Sequence, residues 1–599
     1  MKARRRLISL LACVGAAVLL SCAAVAWLGV KASKVNQELS AASKLVDGLK
    51  EDVARNDPAS ATATVEQIRS HTASAEEAAT DPIWVLASAI PGIGPNFSAV
   101  AEVARSADDV ANLALAPLVG VFGSLNWETL APNATGIDFG PLEAASPSVT
   151  SAAHAVRTSA ARLEEIDSTK LLPQVAEPLV EARNKLHDVT DALDASANAS
   201  QLLPAMLGAL ENRSYLLMIQ NNAESRASGG IPGAIAVLNL DKGKLTLGAQ
   251  SSATDMGVIS PPVPVDAQQQ FIYSPRLGKF MQDVNLTPDF PTAASTAQQM
   301  WERRTGQRVD GVISIDPITL AYILKATGPI TITNPDLVQL AGESLPTQLD
   351  GGNLVKTLLS DVYREIEKPE LQDLYFAGVA QEAFSALSGG KGDAKGLLEG
   401  ITRGTKEGRV LVWSANSAEQ SVLVRYPVSG SIAGPSVSPA EFGVYFNDGT
   451  GAKMDYYVKR TVQLFKECPK DGYEQTTVRI TSSNTAPSSA ATSLPAYVTG
   501  DGNFGVPPGS VQTNIVAYGP VQAHVEIAKL DGQRTEFAPY IHSNRPVGVL
   551  AVRLAPGESR SVEFTFGKIV QHTEPNLVVT PTVQDVKDVI LPTQNAQCG

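Results

Sequence analysis

Tyr215-Leu216-Leu217-Met218-Ile219-Gln220-Asn221-Asn222-Ala223-Glu224-Ser225-Arg226-Ala227-Ser228-Gly229-Gly230 is the stretch on which the fold turns. An apolar, strand-like run stops abruptly and gives way to amides, an acid, an arginine and two glycines. A buried strand that delivers polar groups to the edge of a sheet has this pattern. Before Tyr215 the spacing of apolar residues is helical; after it, short strands and helices alternate.

Downstream, Ala234 to Leu240, Asp241-Lys242-Gly243 and Lys244 to Leu247 read as a hairpin with Asp-Lys-Gly as its turn. Helices are expected over 293–305, 318–327, 352–366 and 371–387, with strands over 309–315 and 330–332. Gly328-Pro329 stops the second helix. Such alternation implies a central sheet with helices packed on it, over 211–407. From 408 to 599 the helical spacing vanishes. Short alternating runs are separated by Asn447-Asp448-Gly449, Pro507-Pro508-Gly509 and Pro556-Gly557, which predicts an antiparallel β-sandwich.

Upstream, residues 32–210 read as a helical stalk or bundle. Val35, Leu39, Ala42, Val46, Leu49 and Val53 form a seam at steps of four and three. Asn56-Asp57-Pro58 breaks it. Val65, Ile68, Thr72, Ala75 and Ala79 then resume it. A rigid corner follows, Asp81-Pro82-Ile83-Trp84 and Ile90-Pro91-Gly92-Ile93-Gly94-Pro95, then a helix over about 96–115 and a long loop over 117–147. The seam also offers a surface for self-association.

The first 31 residues are expected to hold a basic tail and a transmembrane helix. Lys2, Arg4, Arg5 and Arg6 precede an uncharged apolar run from Leu7 to Val30, and about 20 apolar residues span a bilayer core. Trp27 suits the outer interface, and the basic cluster stays cytoplasmic, which places everything beyond about residue 31 outside. Leu19-Leu20-Ser21-Cys22 leaves open a lipid anchor on Cys22 in place of an uncleaved helix. The expected location is the cell membrane, single-pass, with the bulk extracytoplasmic.

The net charge is −13, which speaks against a nucleic-acid partner. Cys468 and Cys598 lie in the part expected outside, where disulfides persist; they can pair or remain separate thiols. The chain has no His-Glu-x-x-His, Gly-x-Ser-x-Gly or phosphate-binding loop. No cofactor is expected, with magnesium entering only for a transferase.

Several stretches resemble the bacterial Domain of Unknown Function 4012 family: Asp81 to Trp84 with Ile90 to Gly94, Tyr215 to Gly230, Asp283 to Pro291, Asp310 to Pro317, and Gly451-Ala452-Lys453-Met454-Asp455-Tyr456-Tyr457. They cover about residues 80–460. The resemblance implies an envelope-associated protein with no settled reaction. A fainter likeness runs to the LytR-CpsA-Psr family, which transfers glycopolymers from polyprenyl pyrophosphate carriers to the cell wall. Its site clusters arginines and an acid around a pyrophosphate and a metal. This chain departs from that pattern: Ser228 stands where an acid is expected, Ser252-Ala253 where an arginine–aspartate pair is expected, and the later arginines reduce to Arg364.

The candidate ligand-binding residues are therefore Arg226, Glu224, Asn222, Gly229, Gly230, Asp255 and Arg364. No catalytic residue or metal ligand is assigned. One reading of Arg226 is an anion pocket, with the glycine-turn amides assisting; the other is a structural arginine paired with Glu224. Asn221 and Asn222 read as satisfying the strand end. Asp255, Asp283 and Asp289 read as solvated loop acids, Asp316 as a helix cap before Pro317, Asn447-Asp448-Gly449 as a hairpin turn, and Tyr456 and Tyr457 as strand residues. The leading expectation is a non-catalytic envelope protein that binds an anionic glycan or its polyprenyl phosphate carrier. The alternatives are an active glycopolymer transferase and a purely structural or interaction module.

Overall fold

A computed structural model describes residues 2–124, 136–389 and 393–598, with side chains only from residue 21 on and not at Ala54 or Ser124. The protein is a mixed α+β, multidomain chain. It divides into two compact units, Met1–Asn126 with Asp138–Ala205, and Trp127–Ile137 with Met206–Gly599.

The first unit is a bundle of α1 (Lys2–Ala54), α2 (Pro58–Ala79), α3 (Pro82–Ser88), α4 (Gly94–Val110), α5 (Ala116–Ser124), α6 (Gly140–Glu164) and α7 (Pro173–Met206). Asp57 starts α2, its Oδ1 accepting the Ser60 N–H at 3.0 Å. Val35, Ala42 and Leu49 are buried, as are Val65, Ile68 and Ala75. Val46 and Val53, expected in the seam, are exposed. Leu45 packs inward instead, with Leu115 and Phe122, because α1 meets more than one helix and its buried strip drifts around its axis. The loop expected over 117–147 is partly helical: α5 continues to Ser124 and α6 begins at Gly140. Val119 and Phe122 of α5 pack against α1 and α2, while Pro141 sits in the first turn of α6, where its missing N–H costs nothing. The rest of that stretch, 125–135, is outside the described residues.

The expected membrane helix falls largely on residues 1–20, whose side chains are outside the described residues. Among those described, no helix is long and apolar enough to cross a membrane. α1 runs on through Cys22, which is a free, exposed thiol.

The second unit opens with β1 (Arg213–Arg226), β2 (Gly229–Asp241) and β3 (Lys244–Ser252). α8 (Ala267–Tyr273), α9 (Phe290–Thr305), β4 (Gly311–Ile315) and α10 (Pro317–Thr327) follow. Next come β5 (Ile330–Thr331), α11 (Pro335–Ala341), β6 (Gln348–Leu349), α12 (Leu354–Lys356), α13 (Val362–Glu365), α14 (Pro369–Ser388) and α15 (Ala394–Lys406). β7 (Leu411–Ser414) and α16 (Ser417–Leu423) end this part. Its sheet runs β3-β2-β1-β4-β7. β1 pairs antiparallel with β2 and parallel with β4, in register Tyr215 to Gly311 and Ile219 to Ile315. Leu216, Met218, Val237 and Val312 are buried under α9, which contributes Phe290, Ala297, Met300 and Trp301.

The boundary expected at 407/408 is therefore misplaced. Leu411–Ser414 pairs with β4 and closes the first sheet, because four residues carry no signal for which sheet they join.

The sandwich begins with β8 (Glu441–Asp448), β9 (Val458–Lys466) and β10 (Glu474–Asn484), followed by β11 (Val511–Tyr518), β12 (His524–Leu530), β13 (Gln533–Thr535) and β14 (Ala538–His542). β15 (Arg545–Leu554), β16 (Ser559–Ile569), β17 (Asn576–Val579) and β18 (Gln594–Asn595) complete it. The sheets run β13-β12-β16-β10-β9-β18 and β14-β15-β11-β8-β17. Both are antiparallel except for the late strands β17 and β18, which add in parallel at the edges. Phe442, Phe446, Val478, Ile480, Phe564 and Phe566 fill the space between them. Cys468 and Cys598 are bonded, with Cα atoms 5.5 Å apart.

Two local readings are corrected. β8 and β9 lie in different sheets, so Asn447-Asp448-Gly449 is no hairpin turn. Tyr456 and Tyr457 belong to a single 3-10 turn, Met454–Tyr457, that carries the chain from one sheet to the other.

Candidate functional site

The polar end of β1 is built from within. β1 and β2 form a tight hairpin in which Ser225 faces Gly230 and Arg226 faces Gly229. Gly229 has φ +139°, and a Cβ on Gly230 would lie 2.1 Å from the Asn221 carbonyl oxygen. The glycines are needed for this close crossing. Their surroundings leave no open amide nest: the Gly230 N–H donates to Gln220 Oε1 at 2.8 Å and the Ala227 N–H to Asn447 Oδ1 at 2.9 Å. Asn222 Nδ2 donates to the Pro581 carbonyl at 3.4 Å.

Arg226 is buried. It donates to Glu224 at 3.1 Å and to Asp283 at 3.4 Å. Asp283 also accepts from Arg276 at 2.7 Å. Both carboxylates meet Nη2, Nη1 donates to the Ser225 carbonyl at 3.1 Å, and Nε is buried without a hydrogen-bond partner among the described residues, so Arg226 lies in an internal ion network with Glu224. The remaining candidates do not gather here. Asp255 is exposed, its Oδ2 accepting from the Ser252 N–H at 3.3 Å. Arg364 is exposed and pairs with Asp361 at 3.0 Å and Glu365 at 2.8 Å. Asp289 accepts from Thr292 at 2.6 Å. Asp316 caps α10 through the Thr319 N–H at 2.8 Å and pairs with buried Arg409 at 2.7 Å. Among the described residues no set of three or more His, Cys, Asp or Glu is placed to hold a metal ion.

Lys453 completes the network. Its ammonium donates to Glu224 Oε2 and lies 5.9 Å from the Tyr363 ring centre and 5.6 Å from that of Tyr497. Burial opposes the charge of Glu224, yet Lys453 and Arg226 outweigh it and hold the carboxyl below its usual range. Burial likewise opposes the charge of Lys453, and Glu224 more than restores it. Asp455 accepts the Ser225 N–H at 2.9 Å and pairs with Arg460, both fully buried.

Asp448 is the misfit. Burial, then repulsion from Asp455 and Glu224, pushes its carboxyl up to about 7, with Arg226 opposing. The native state therefore binds the Asp448 proton more tightly than the unfolded chain. Stability falls as pH rises from about 4 through about 7. Asp448→Asn should flatten that decline, although it gives up one of the two backbone N–H groups, of Thr450 and Gly451, that the carboxylate accepts at 3.0 and 2.6 Å. Urea titrations at pH 5 and pH 8 check it; an equal change at both pH values would show that Asp448 titrates normally.

Beside this network is a cavity of about 200 Å³ between the sheet end and α10, α13 and α14. Ile231, Ala253, Leu320, Leu358, Phe376 and Val379 give it apolar walls. Glu224, Lys453 and Asn221, the last donating to the Tyr363 hydroxyl, form its polar end, with Asp373 also on the wall. Burial and nearby Asp255 raise the Asp373 pKa. Sequence reading missed Lys453 as a site residue, although it stands in the quoted stretch Gly451 to Tyr457. Its partner Glu224 is 229 positions away, and no local spacing links the two.

The fold and site thus define an α+β protein with a small amphipathic cavity at the end of its first sheet. Residues 211–363 match the family described as Protein of unknown function (DUF4012), in the central part of the stretch expected to resemble it. No curated protein and no solved structure matches the chain.

Proposed function

We propose that this is a membrane-attached protein of the bacterial cell envelope, with its bulk outside the cytoplasm. In this reading it binds the polar end of an amphipathic envelope molecule, a polyprenyl phosphate carrier of glycan, in the cavity closed by Lys453. The basic tail and the apolar run Leu7–Val30 support the attachment. The Cys468–Cys598 bond supports an oxidising compartment. The cavity carries the rest: its apolar walls suit a hydrocarbon chain, and Lys453 is the cation for an anionic head on a lining that also holds the carboxylates of Glu224, Asp316 and Asp373. A single ammonium already shared with Glu224 suits a monophosphate better than a pyrophosphate. This favours binding over the glycopolymer transfer of the LytR-CpsA-Psr type, for which Arg226 and Arg364 would have to converge.

The test uses the full chain in lipid nanodiscs with polyprenyl phosphate as the probe. Lys453→Met should weaken binding by about 10-fold or more, the loss of one charge-assisted contact. Ala380→Phe, which fills the cavity, should abolish it. Thermal midpoints of both variants separate lost binding from lost folding. Unchanged affinity in both folded variants overturns the binding reading, and self-association of the chain without lipid binding would put the interaction module in its place.

A further inference from the structure

The corner between α2 and α4 shows an unpartnered apolar surface. From Pro82 to Ala101 the chain has no charged residue. α3 turns Trp84 and Ala87 into the bundle, where the Trp84 indole N–H donates to the Phe97 carbonyl at 2.9 Å. That leaves the opposite face outward. Leu86 is 71% exposed, Val85 55%, Ile93 50% and Ile90 47%. Ile90-Pro91-Gly92-Ile93 continues the same surface beyond the helix. Four large apolar side chains within nine residues form a patch rather than scattered exposure.

The position of this patch is set by α1. Asp81 caps α3 through the Ile83 N–H at 3.0 Å. The same carboxylate accepts from the Trp27 indole at 3.2 Å and pairs with Lys31 at 3.2 Å. α3 therefore starts level with Trp27 and Lys31, where the apolar run Leu7–Val30 ends. Val25 and Val30 of α1 are exposed there as well. An indole, a lysine and exposed aliphatic side chains at one level are what the membrane–water interface selects. The turn at the other end of the α1–α2 hairpin is polar, Arg55-Asn56-Asp57.

We propose that residues 82–93 are a second membrane contact. Val85, Leu86, Ile90 and Ile93 enter the interfacial zone of the bilayer beside the point where α1 emerges. The inference rests on the membrane attachment proposed above and adds to it: the bundle is set against the lipid surface at two points, which fixes its tilt where a single helix would leave it free to swing.

The test uses the full chain with Cys13→Ser and Cys22→Ser, carrying an environment-sensitive fluorophore on Leu86→Cys or Ile93→Cys. The protein is placed in nanodiscs of phosphatidylglycerol and phosphatidylethanolamine. Both labels should shift to the blue and lose at least about twofold in intensity to headgroup-nitroxide lipids. A label on Ala59→Cys, beside the polar turn, should not respond. Circular dichroism checks that the labelled chains are folded, and the two sites guard against one failing. Incorporation of the chain with Leu86 and Ile93 labels as unresponsive as Ala59 overturns the second contact and leaves the anchor standing. Failure to incorporate overturns both. Labels shielded from water but not quenched by lipid would show a protein partner on the patch, which also overturns the proposal.

Discussion

Asp455→Ala is expected to destabilise the second unit by about 3–5 kcal/mol, the cost of leaving a buried charge without its partner. Arg460 is 1% exposed, lies over the Phe446 ring at 4.6 Å and donates to Thr513 Oγ1 at 3.1 Å besides its pair with Asp455. Neither Phe446 nor Thr513 can neutralise it. The Ser225 N–H, which donates to Asp455 Oδ2, loses its acceptor in the same step. Removing both charges should restore much of the loss, because a buried pair is often worth no more than well-packed apolar residues of similar size. The double variant Asp455→Leu/Arg460→Met should thus be more stable than Asp455→Ala. Urea unfolding followed by tryptophan fluorescence measures both; Trp301 and Trp413 report on the first sheet, to which Asp455 is tied through Ser225. A loss below about 1 kcal/mol for Asp455→Ala would mean that water reaches Arg460 and that the pair is not dry.

That pair also explains where sequence reading stops. The hairpin was legible over 234–247 because alternation and an Asp-Lys-Gly turn are local signals, and α9 and α10 because their apolar spacing, with the stop at Gly328-Pro329, is local too. Asp316 was legible as a cap for the same reason: the Thr319 N–H it accepts is three residues away. What makes Asp316 unusual is its pairing with Arg409, which also reaches the carbonyls of Thr582 and Gln584. Those partners come from the C-terminal tail, and no periodicity announces them. Glu224 and Lys453 repeat the case at the cavity. Arg226 shows the converse. An arginine beside two glycines reads as an anion site or as a structural ion, and the contact that bears on the choice, with Asp283, comes from another loop.

Cleaving the Cys468–Cys598 bond, by reduction or by Cys598→Ser, is expected to cost about 2–5 kcal/mol. The bond closes a loop with a sequence separation of 130, and long loops lose the most chain entropy on closure. The bond acts on a segment that is already structural. β17 pairs with β8, the Thr580 hydroxyl donates to the Ala227 carbonyl at 2.8 Å, Val589 is in the sandwich core, and the Leu591 N–H donates to Val462 at 3.0 Å. The last of these ties, β18 on β9, is only two residues long, so without the bond fraying should begin there and spread toward Leu591. Hydrogen exchange of the full chain with and without reductant separates the two parts of the effect. The Ala596 and Leu591 amides should exchange faster at once, whereas β10 and β16 in the same sheet should follow only the change in global stability. Equal protection of Leu591 in both states, with an unchanged urea midpoint, would show that the β17–β8 and β18–β9 contacts hold the tail unaided and that the bond adds nothing to the folded unit.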